Sequence, residues 1–164
     1  MTSHTMSALR VEAYRALLPP PKMDFADWIE RTIRLPGDVS AQTGPMRLTR
    51  VQRGIADAMD NPDIERVTVV KPVRLGYTSL LSALVGYYVT SDPSQILAVL
   101  PVESDCRGWV VDDLEPIFLA SPDLRGRLSV ENDPSSRSTL LNRRFSGGSL
   151  KIVAAKSQIG RAHV

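Results

Sequence analysis

The sequence predicts an α/β fold in which a parallel sheet is flanked by helices, because apolar strand-like runs alternate with helical patterns. The β-branched run at residues 66–70 precedes apolar residues at helical spacing in residues 79–89. The unbroken apolar run at residues 95–100 precedes a second helical pattern in residues 104–118, where Pro116 should end or bend the helix. Continuous apolar runs are typical of parallel strands covered on both faces. The order strand, helix, strand, helix is that of an α/β domain.

Residues 71–78 form a glycine-containing turn between the first predicted strand and the first long helix. They read Lys-Pro-Val-Arg-Leu-Gly-Tyr-Thr and match two of the four fixed positions of the phosphate-binding pattern G-x-x-x-x-G-K-[ST]. Gly76 provides a flexible turn residue, Thr78 a hydroxyl for Mg²⁺, and Lys71 a cation at the strand end of the loop, while Arg74 adds a second charge. The positive end of a helix suits a nucleotide phosphate. The residues of this loop are therefore compatible with a phosphate-binding loop that holds a nucleotide.

An ordinary structural explanation is also available for this loop. In that interpretation Lys71 and Arg74 are solvated charges, Gly76 is a common turn residue, and Thr78 is the N-cap of the following helix. The choice between the two interpretations depends on the rest of the chain.

Gln52, upstream of the loop, also has two interpretations. It stands three residues after Thr49 at the start of a helix predicted over residues 49–59, which is the spacing of a capping box. Alternatively, its amide recognises the adenine edge, because an amide both donates and accepts hydrogen bonds. The two roles do not exclude each other.

Short motifs outside the loop follow one another in the order found in one protein family. They are Trp28, Gly44-Pro45, Thr49 to Arg53, Asn61-Pro62, Asp92-Pro93, Leu100-Pro101, Ser121-Pro122 and Phe145-Ser146-Gly147-Gly148. In this order and spacing, residues 25–157 resemble the N-terminal part of the ATPase domain of the lambda-like (GpA-type) phage terminase large subunit. Lambda-like members carry lysine at the front of the loop and an aromatic residue before the hydroxyl, as Lys71, Tyr77 and Thr78 stand here. Arg50 departs from the family, which more often has proline there, so the entry to that helix is expected to differ.

The resemblance implies that the full-length protein is an ATPase that drives double-stranded viral DNA into a procapsid. Its C-terminal part, which this sequence does not contain, is expected to be an endonuclease. The implied partners are the terminase small subunit, contacted by the N-terminal end, the portal of the procapsid, and further copies in a homo-oligomeric motor. The implied location is the cytoplasm of the bacterial host. The cofactors are ATP and Mg²⁺, with Thr78 holding Mg²⁺ through the nucleotide; the implied ATP-binding residues are Lys71, Arg74, Leu75, Gly76, Tyr77, Thr78 and Gln52.

Composition limits the function classes without choosing among them. Twenty basic and 18 acidic residues give a net charge of only +2, so bulk charge does not indicate DNA binding. The single Cys106 excludes an internal disulfide, and its separation from His4 and His163 matches no zinc pattern.

The apolar run at residues 80–89 is about half the length that crosses a bilayer. No membrane association is expected, and the N-terminus lacks the features of a secretory signal.

The chain divides into three predicted segments. Residues 1–45 are an N-terminal arm and linker, with short helices expected at residues 7–18 and 24–32 around the extended Pro19-Pro20-Pro21. Residues 46–158 are a partial P-loop ATPase domain. Residues 159–164 depart from the family and are predicted to be a non-native tail.

Residues 137–142 and 149–155 are predicted to be two strands of a hairpin that turns near Gly147-Gly148. Arg143 and Arg144 lie between them and are candidate contacts for DNA phosphates. The alternative is that both arginines lie on a solvated hairpin face.

The acidic residues of phosphoryl transfer have no clear candidates in the sequence. The reaction needs a carboxylate for magnesium and, in this class of motor, a glutamate that activates water, but no Asp or Glu follows Asp133. Asp105, Asp112 and Asp113 fall in a helical pattern and are poor substitutes. We therefore expect the sheet to be truncated before its acidic (Walker B) strand and the fragment to be inactive.

Two other functions remain open from the sequence. A helicase-like nucleic-acid ATPase shares the glutamine, the loop and the parallel sheet, but it normally keeps lysine where Tyr77 stands. The other is a non-catalytic α/β binding or assembly module with a vestigial loop. Such a module is expected to lack the acidic residues of phosphoryl transfer.

Overall fold

The computed structural model describes residues 23–128 and 139–156 of the chain. Its helices are α1 (Phe25–Thr32), α2 (Arg50–Asp60), α3 (Tyr77–Thr90), α4 (Glu103–Gly108) and α5 (Glu115–Ala120), and a π-helical turn (Trp109–Leu114) joins α4 to α5. The strands are β1 (Arg34–Leu35), β2 (Gly44–Pro45), β3 (Gln95–Leu100), β4 (Asn142–Phe145) and β5 (Gly148–Ala154). The predicted helix at residues 7–18 and the predicted tail lie outside the described residues.

The larger sheet has the strand order β3-β5-β4. Strands β3 and β5 are parallel, with Gln95 opposite Ser149 and Leu100 opposite Ala154. Strand β4 is antiparallel to β5 because the two form a hairpin that turns at Gly147, whose φ is +89°. The α/β prediction is confirmed, but the sheet is mixed rather than wholly parallel.

Two strand predictions were wrong in detail. The first hairpin strand begins at Asn142 rather than at residue 137, because the described residues before it form a turn closed by a bridge between Thr139 and Asn142. Residues 66–70 form no ladder with any described strand, and Val70 is 98% exposed. A β-branched run becomes a strand only where a neighbouring strand accepts its hydrogen bonds.

Helices cover one face of the larger sheet. Helix α4 contacts β3 and β5, and the inward residues of β5 are Leu150, Ile152 and Ala154. Leu97 and Val99 point to the opposite face and are 64% and 57% exposed. An apolar groove of about 360 Å³ runs between α3 and β3. Among the described residues, therefore, this side of the sheet is incompletely covered.

The core around the C-terminal half of α3 is aromatic. The Tyr87 ring lies 5.2 Å from the Phe25 ring and 5.4 Å from the Trp28 ring, measured between centroids. Burial raises the pKa of Tyr87 to about 12. The packing of these aromatic rings fixes α3, so the loop that precedes α3 is attached to a rigid element.

Within the described part of the chain, no helix combines the length and apolar character needed to span a bilayer.

Candidate functional site

The predicted phosphate-binding loop turns sharply through two left-handed residues. Gly76 is the N-cap of α3 with φ +72° and ψ +23°, and Arg74, two residues earlier, has φ +61°. A residue with a side chain at such a φ costs about 1–2 kcal/mol, whereas glycine adopts it readily. Turns of this kind direct successive backbone N–H groups into a concavity that holds anions. The loop therefore has the backbone shape of an anion site.

The start of α3 strengthens this anion site electrostatically. The first turn of this helix contains no acidic residue, and its first N–H groups have no acceptor within the helix. The helix dipole places partial positive charge at the same point. Phosphate groups suit such a helix start.

Gln52 joins the loop to the start of α2. Its side-chain Oε1 accepts hydrogen bonds from the backbone N of Thr49 at 2.8 Å and from the Thr49 hydroxyl at 3.0 Å. Its Nε2 donates to the backbone carbonyl of Leu75 at 2.8 Å. The predicted capping box is therefore confirmed, since Thr49 also accepts from the backbone N of Gln52. Recognition of adenine by Gln52 stays a prediction.

A cleft of about 660 Å³ lies beside the loop, within the range of about 300–1,000 Å³ that small-molecule sites occupy. Among the described residues, no acidic side chain lines it, and the two cationic lining residues are Arg47 and Arg74. Such a cleft is suited to a polyphosphate. The full lining is Leu35, Val39, Ser40, Gln42, Thr43, Pro45, Met46, Arg47, Thr49, Gln52, Arg74, Leu75, Gly76 and Ser79.

Six of the fourteen residues that line this cleft come from a segment that was not predicted to take part in a site. Strands β1 and β2 and the loop between them form the wall opposite the phosphate-binding loop, although residues 1–45 were predicted only as an N-terminal arm and linker. Gly44-Pro45 was the sole signal in this segment, and it was used for the family resemblance. The wall combines apolar Leu35 and Val39 with the polar side chain of Gln42.

Ion pairs hold α1 against α2 next to the cleft. Arg53 contacts Asp27 at 2.8 Å and Glu30 at 3.3 Å. The hydrogen bond with Asp27 raises the pKa of Arg53 above its ordinary value. Glu30 also accepts a hydrogen bond from the backbone N of Leu48 at 3.0 Å. These contacts position the chain segment that leads into Thr49.

The structure brings together four of the seven predicted ATP-binding residues, Gln52, Arg74, Leu75 and Gly76, on the cleft. The remaining three, Lys71, Tyr77 and Thr78, are not among its lining residues. The Lys71 ammonium lies 5.8 Å from the centroid of the Tyr77 ring, a cation–π distance. Thr78 lines the neighbouring groove between α3 and β3. Tyr77, which stands where the regular pattern has lysine, thus contacts Lys71 at the front of the loop.

Thr78 is the residue that was predicted to take part in magnesium binding. Thr78 offers a hydroxyl, but no group of three or more His, Cys, Asp or Glu suited to a metal occurs in residues 23–128 and 139–156. Magnesium is commonly held by one or two carboxylates together with substrate phosphates. Asp112 and Asp113 lie on the π-helical turn, and burial, with the charge of Asp112, raises the pKa of Asp113. Thr78 would therefore hold Mg²⁺ only together with the phosphates of a bound nucleotide.

Arg143 does not have the surroundings predicted for a DNA contact. It is 3% exposed, and its guanidinium forms an ion pair with Glu115 and donates to the carbonyls of Leu128, at 2.9 Å, and Leu140, at 3.2 Å. The DNA-binding prediction for Arg143 is corrected, because its donors already face partners inside the protein. Arg144 is exposed, and its contact with DNA stays a prediction.

Known proteins share this fold and this sequence pattern. The large terminase subunit of Escherichia phage lambda is 27% identical over 134 residues, which cover 82% of this chain and 21% of that protein. The large terminase subunit of Enterobacteria phage P21 is 25% identical over 133 residues, with 81% and 21% covered. The crystal structure of the HK97 bacteriophage large terminase matches with a TM-score of 0.61 at 18% identity, covering 81% of this chain and 27% of that one. The last likeness shows the fold.

A family profile covers most of the chain. The profile described as phage terminase large subunit gpA, ATPase domain, matches residues 40–161. This range includes the loop, Gln52 and the whole of the larger sheet. The family resemblance found in the sequence is confirmed, and the chain belongs to the phage terminase large subunit gpA ATPase domain family.

Proposed function

We propose that the chain binds ATP in the cleft beside residues 71–78, as part of the ATPase that drives a viral DNA-packaging motor. One observation carries the proposal: two left-handed loop residues lead into the start of α3 beside a cleft lined by two arginines and no acid. This arrangement suits a polyphosphate bound by backbone N–H groups. Family membership supports adenosine triphosphate as the ligand.

Each loop residue has a proposed role toward the nucleotide. Backbone N–H groups of Gly76, Tyr77 and Thr78 hold the phosphates, and Lys71 and Arg74 neutralise their charge. Leu75 occupies the position between the two left-handed residues of the turn. Thr78 assists Mg²⁺, which when bound neutralises charge on the β- and γ-phosphates.

We expect the 164-residue chain to bind ATP without hydrolysing it. Hydrolysis needs a carboxylate that activates water, and Asp105, Asp112 and Asp113 lie on the helix from α4 to α5 and do not line the cleft. The groove between α3 and β3 begins at Thr78 and is lined by apolar residues. An additional apolar strand ending in acidic residues suits this position, because it would pair with β3 and bring its carboxylates toward Thr78.

The remaining proposals come from the relatives. The proteins of phage lambda and phage P21 both carry the name terminase, large subunit, and the chain spans 21% of the length of each. We propose that the full-length protein translocates double-stranded DNA into a procapsid as a homo-oligomer docked on the portal, with the small subunit as partner and an endonuclease in its remaining part. The site of action is the cytoplasm of the bacterial host.

Ligand-dependent thermal stability tests the proposal. A ligand at about a hundredfold excess over its Kd adds about 2.7 kcal/mol of stability, so Mg²⁺-ATP should raise the melting temperature of the wild-type chain. Lys71→Ala and Arg74→Ala should each reduce this rise, whereas Arg66→Ala, an exposed residue before the loop, should not. If the wild type gains nothing from ATP, the non-catalytic module replaces the ATPase as the best interpretation.

A further inference from the structure

We propose that Gln52 is a positioning residue that fixes the conformation of the phosphate-binding loop, and that it acts on the nucleotide through the loop rather than by contacting the base. This inference rests on the proposed function, because the conformation of the loop affects ligand binding only if a phosphate binds there. It differs from the adenine-recognition role that the sequence suggested for Gln52.

The hydrogen-bonding capacity of the Gln52 amide is largely used inside the protein. An amide oxygen accepts two hydrogen bonds, and Oε1 of Gln52 accepts one from the backbone N of Thr49 and one from the Thr49 hydroxyl. Nε2 donates to the Leu75 carbonyl. Recognition of an adenine edge requires an acceptor and a donor on the same amide. The acceptor of Gln52 is fully engaged.

The contact with Leu75 lies where the loop most needs support. Leu75 stands between the two left-handed residues, Arg74 and Gly76. The front of the loop faces solvent, since Val73 is 85% exposed. A hydrogen bond of 2.8 Å from a buried side chain to the central carbonyl therefore fixes a turn that local preference does not favour.

The packing at Gly76 shows how closely Gln52 follows the loop. A Cβ atom placed on Gly76 would lie 2.9 Å from Nε2 of Gln52, which is closer than real Cβ contacts. The amide thus occupies the space beside the loop backbone. Because Oε1 of the same amide contacts Thr49, a movement of the loop is transmitted to the N-cap of α2.

The test compares Gln52→Met with Thr49→Ala, both made in the full chain. Gln52→Met removes the contact with Leu75, whereas Thr49→Ala weakens the same helix cap and leaves that contact in place. Binding is measured for ATP, GTP and inorganic tripolyphosphate, each with Mg²⁺. For Gln52→Met we expect about tenfold weaker binding of all three ligands, the effect of losing one buried hydrogen bond. Thr49 also lines the cleft, and for Thr49→Ala we expect a smaller loss than for Gln52→Met, because the contact of Gln52 with Leu75 remains.

Amide hydrogen exchange in the ligand-free chain tests the positioning role directly. Residues 74–77 should exchange faster in Gln52→Met than in the wild type and in Thr49→Ala, because the loop opens locally when its support is lost. Gln52→Glu provides a second variant, since it retains the acceptor for Thr49 and replaces the donor to Leu75 with a carboxylate oxygen. Its loop amides should also exchange faster.

Two results would overturn the inference. One is a loss of affinity for ATP with unchanged affinity for tripolyphosphate, which indicates contact with the base. The other is unchanged exchange of the loop amides in both Gln52 variants. Failure of the proposed function is distinguishable, because the wild type then binds none of the three ligands while the exchange measurement still decides whether Gln52 fixes the loop.

Discussion

Arg74 and Arg143 both belong to basic segments that the sequence predicts to contact phosphates, yet the structure gives them opposite surroundings. Arg74 is exposed, has φ +61° and lines the cleft beside the loop. Arg143 is buried, and its guanidinium contacts Glu115 and two backbone carbonyls. The first arginine is available to a ligand, whereas the second stabilises the fold.

Whether a basic residue is available to a ligand therefore depends on the partners that its side chain has inside the protein. Arg143 projects from β4 toward the helix-covered face, where Glu115 at the start of α5 meets it. Arg74 lies in a turn that holds its backbone in an unfavourable conformation and leaves its side chain beside an open cleft. A strained conformation at an exposed cation is more typical of binding sites than of solvated loops.

The largest expected effect comes from Arg143→Ala. Breaking a buried ion pair costs about 3–5 kcal/mol, and we expect about 3 kcal/mol here because the Glu115 side chain is 37% exposed. Equilibrium unfolding in urea measures the loss. Arg144→Ala, at the exposed neighbouring position, should change stability by less than about 0.5 kcal/mol. Equal effects of the two substitutions would remove the contrast between buried and exposed arginines.

Gly76→Ala should have an intermediate effect. A left-handed conformation with a side chain costs about 1–2 kcal/mol, and the new Cβ would lie 2.9 Å from Nε2 of Gln52. We expect lower stability together with loss of triphosphate binding. Gly54→Ala is the matched control, because Gly54 lies on an exposed part of α2 with nothing within 4 Å of its added Cβ. It should raise stability by about 0.5–1 kcal/mol, and a loss there as well would question the loop-specific explanation.

Arg74→Gly should have the smallest effect on stability and the opposite sign. Glycine removes the cost of the left-handed conformation, about 1–2 kcal/mol, and adds backbone entropy to the unfolded chain, so the net gain should be about 0.5–1 kcal/mol. ATP binding should weaken because the charge beside the cleft is lost. Arg74→Ala removes the charge and keeps the strained backbone, so it should weaken binding without raising stability. Urea unfolding that gives the two variants equal stability would contradict strain at Arg74.

The features that could be predicted from the sequence depend on short-range order. The capping box at Thr49 and Gln52, the turn at Gly76 and the helical spacing after it all rest on contacts within a few residues. Residues 66–70 were predicted as a strand and form no ladder in the described structure. Strand formation requires a partner that can be distant in the chain, and propensity carries no information about it.

Residue types at fixed local spacing were sufficient to predict the family, the α/β fold class and the segment that carries the loop. Which side chains face the cleft depends instead on the tertiary structure. It placed the wall formed by β1 and β2 opposite the loop, directed the Gln52 amide to the carbonyl of Leu75, and paired Arg143 with Glu115 across 28 positions of the chain. Side-chain partners at such distances depend on how helices pack against the sheet, and packing is settled by the burial of the whole core rather than by any short motif.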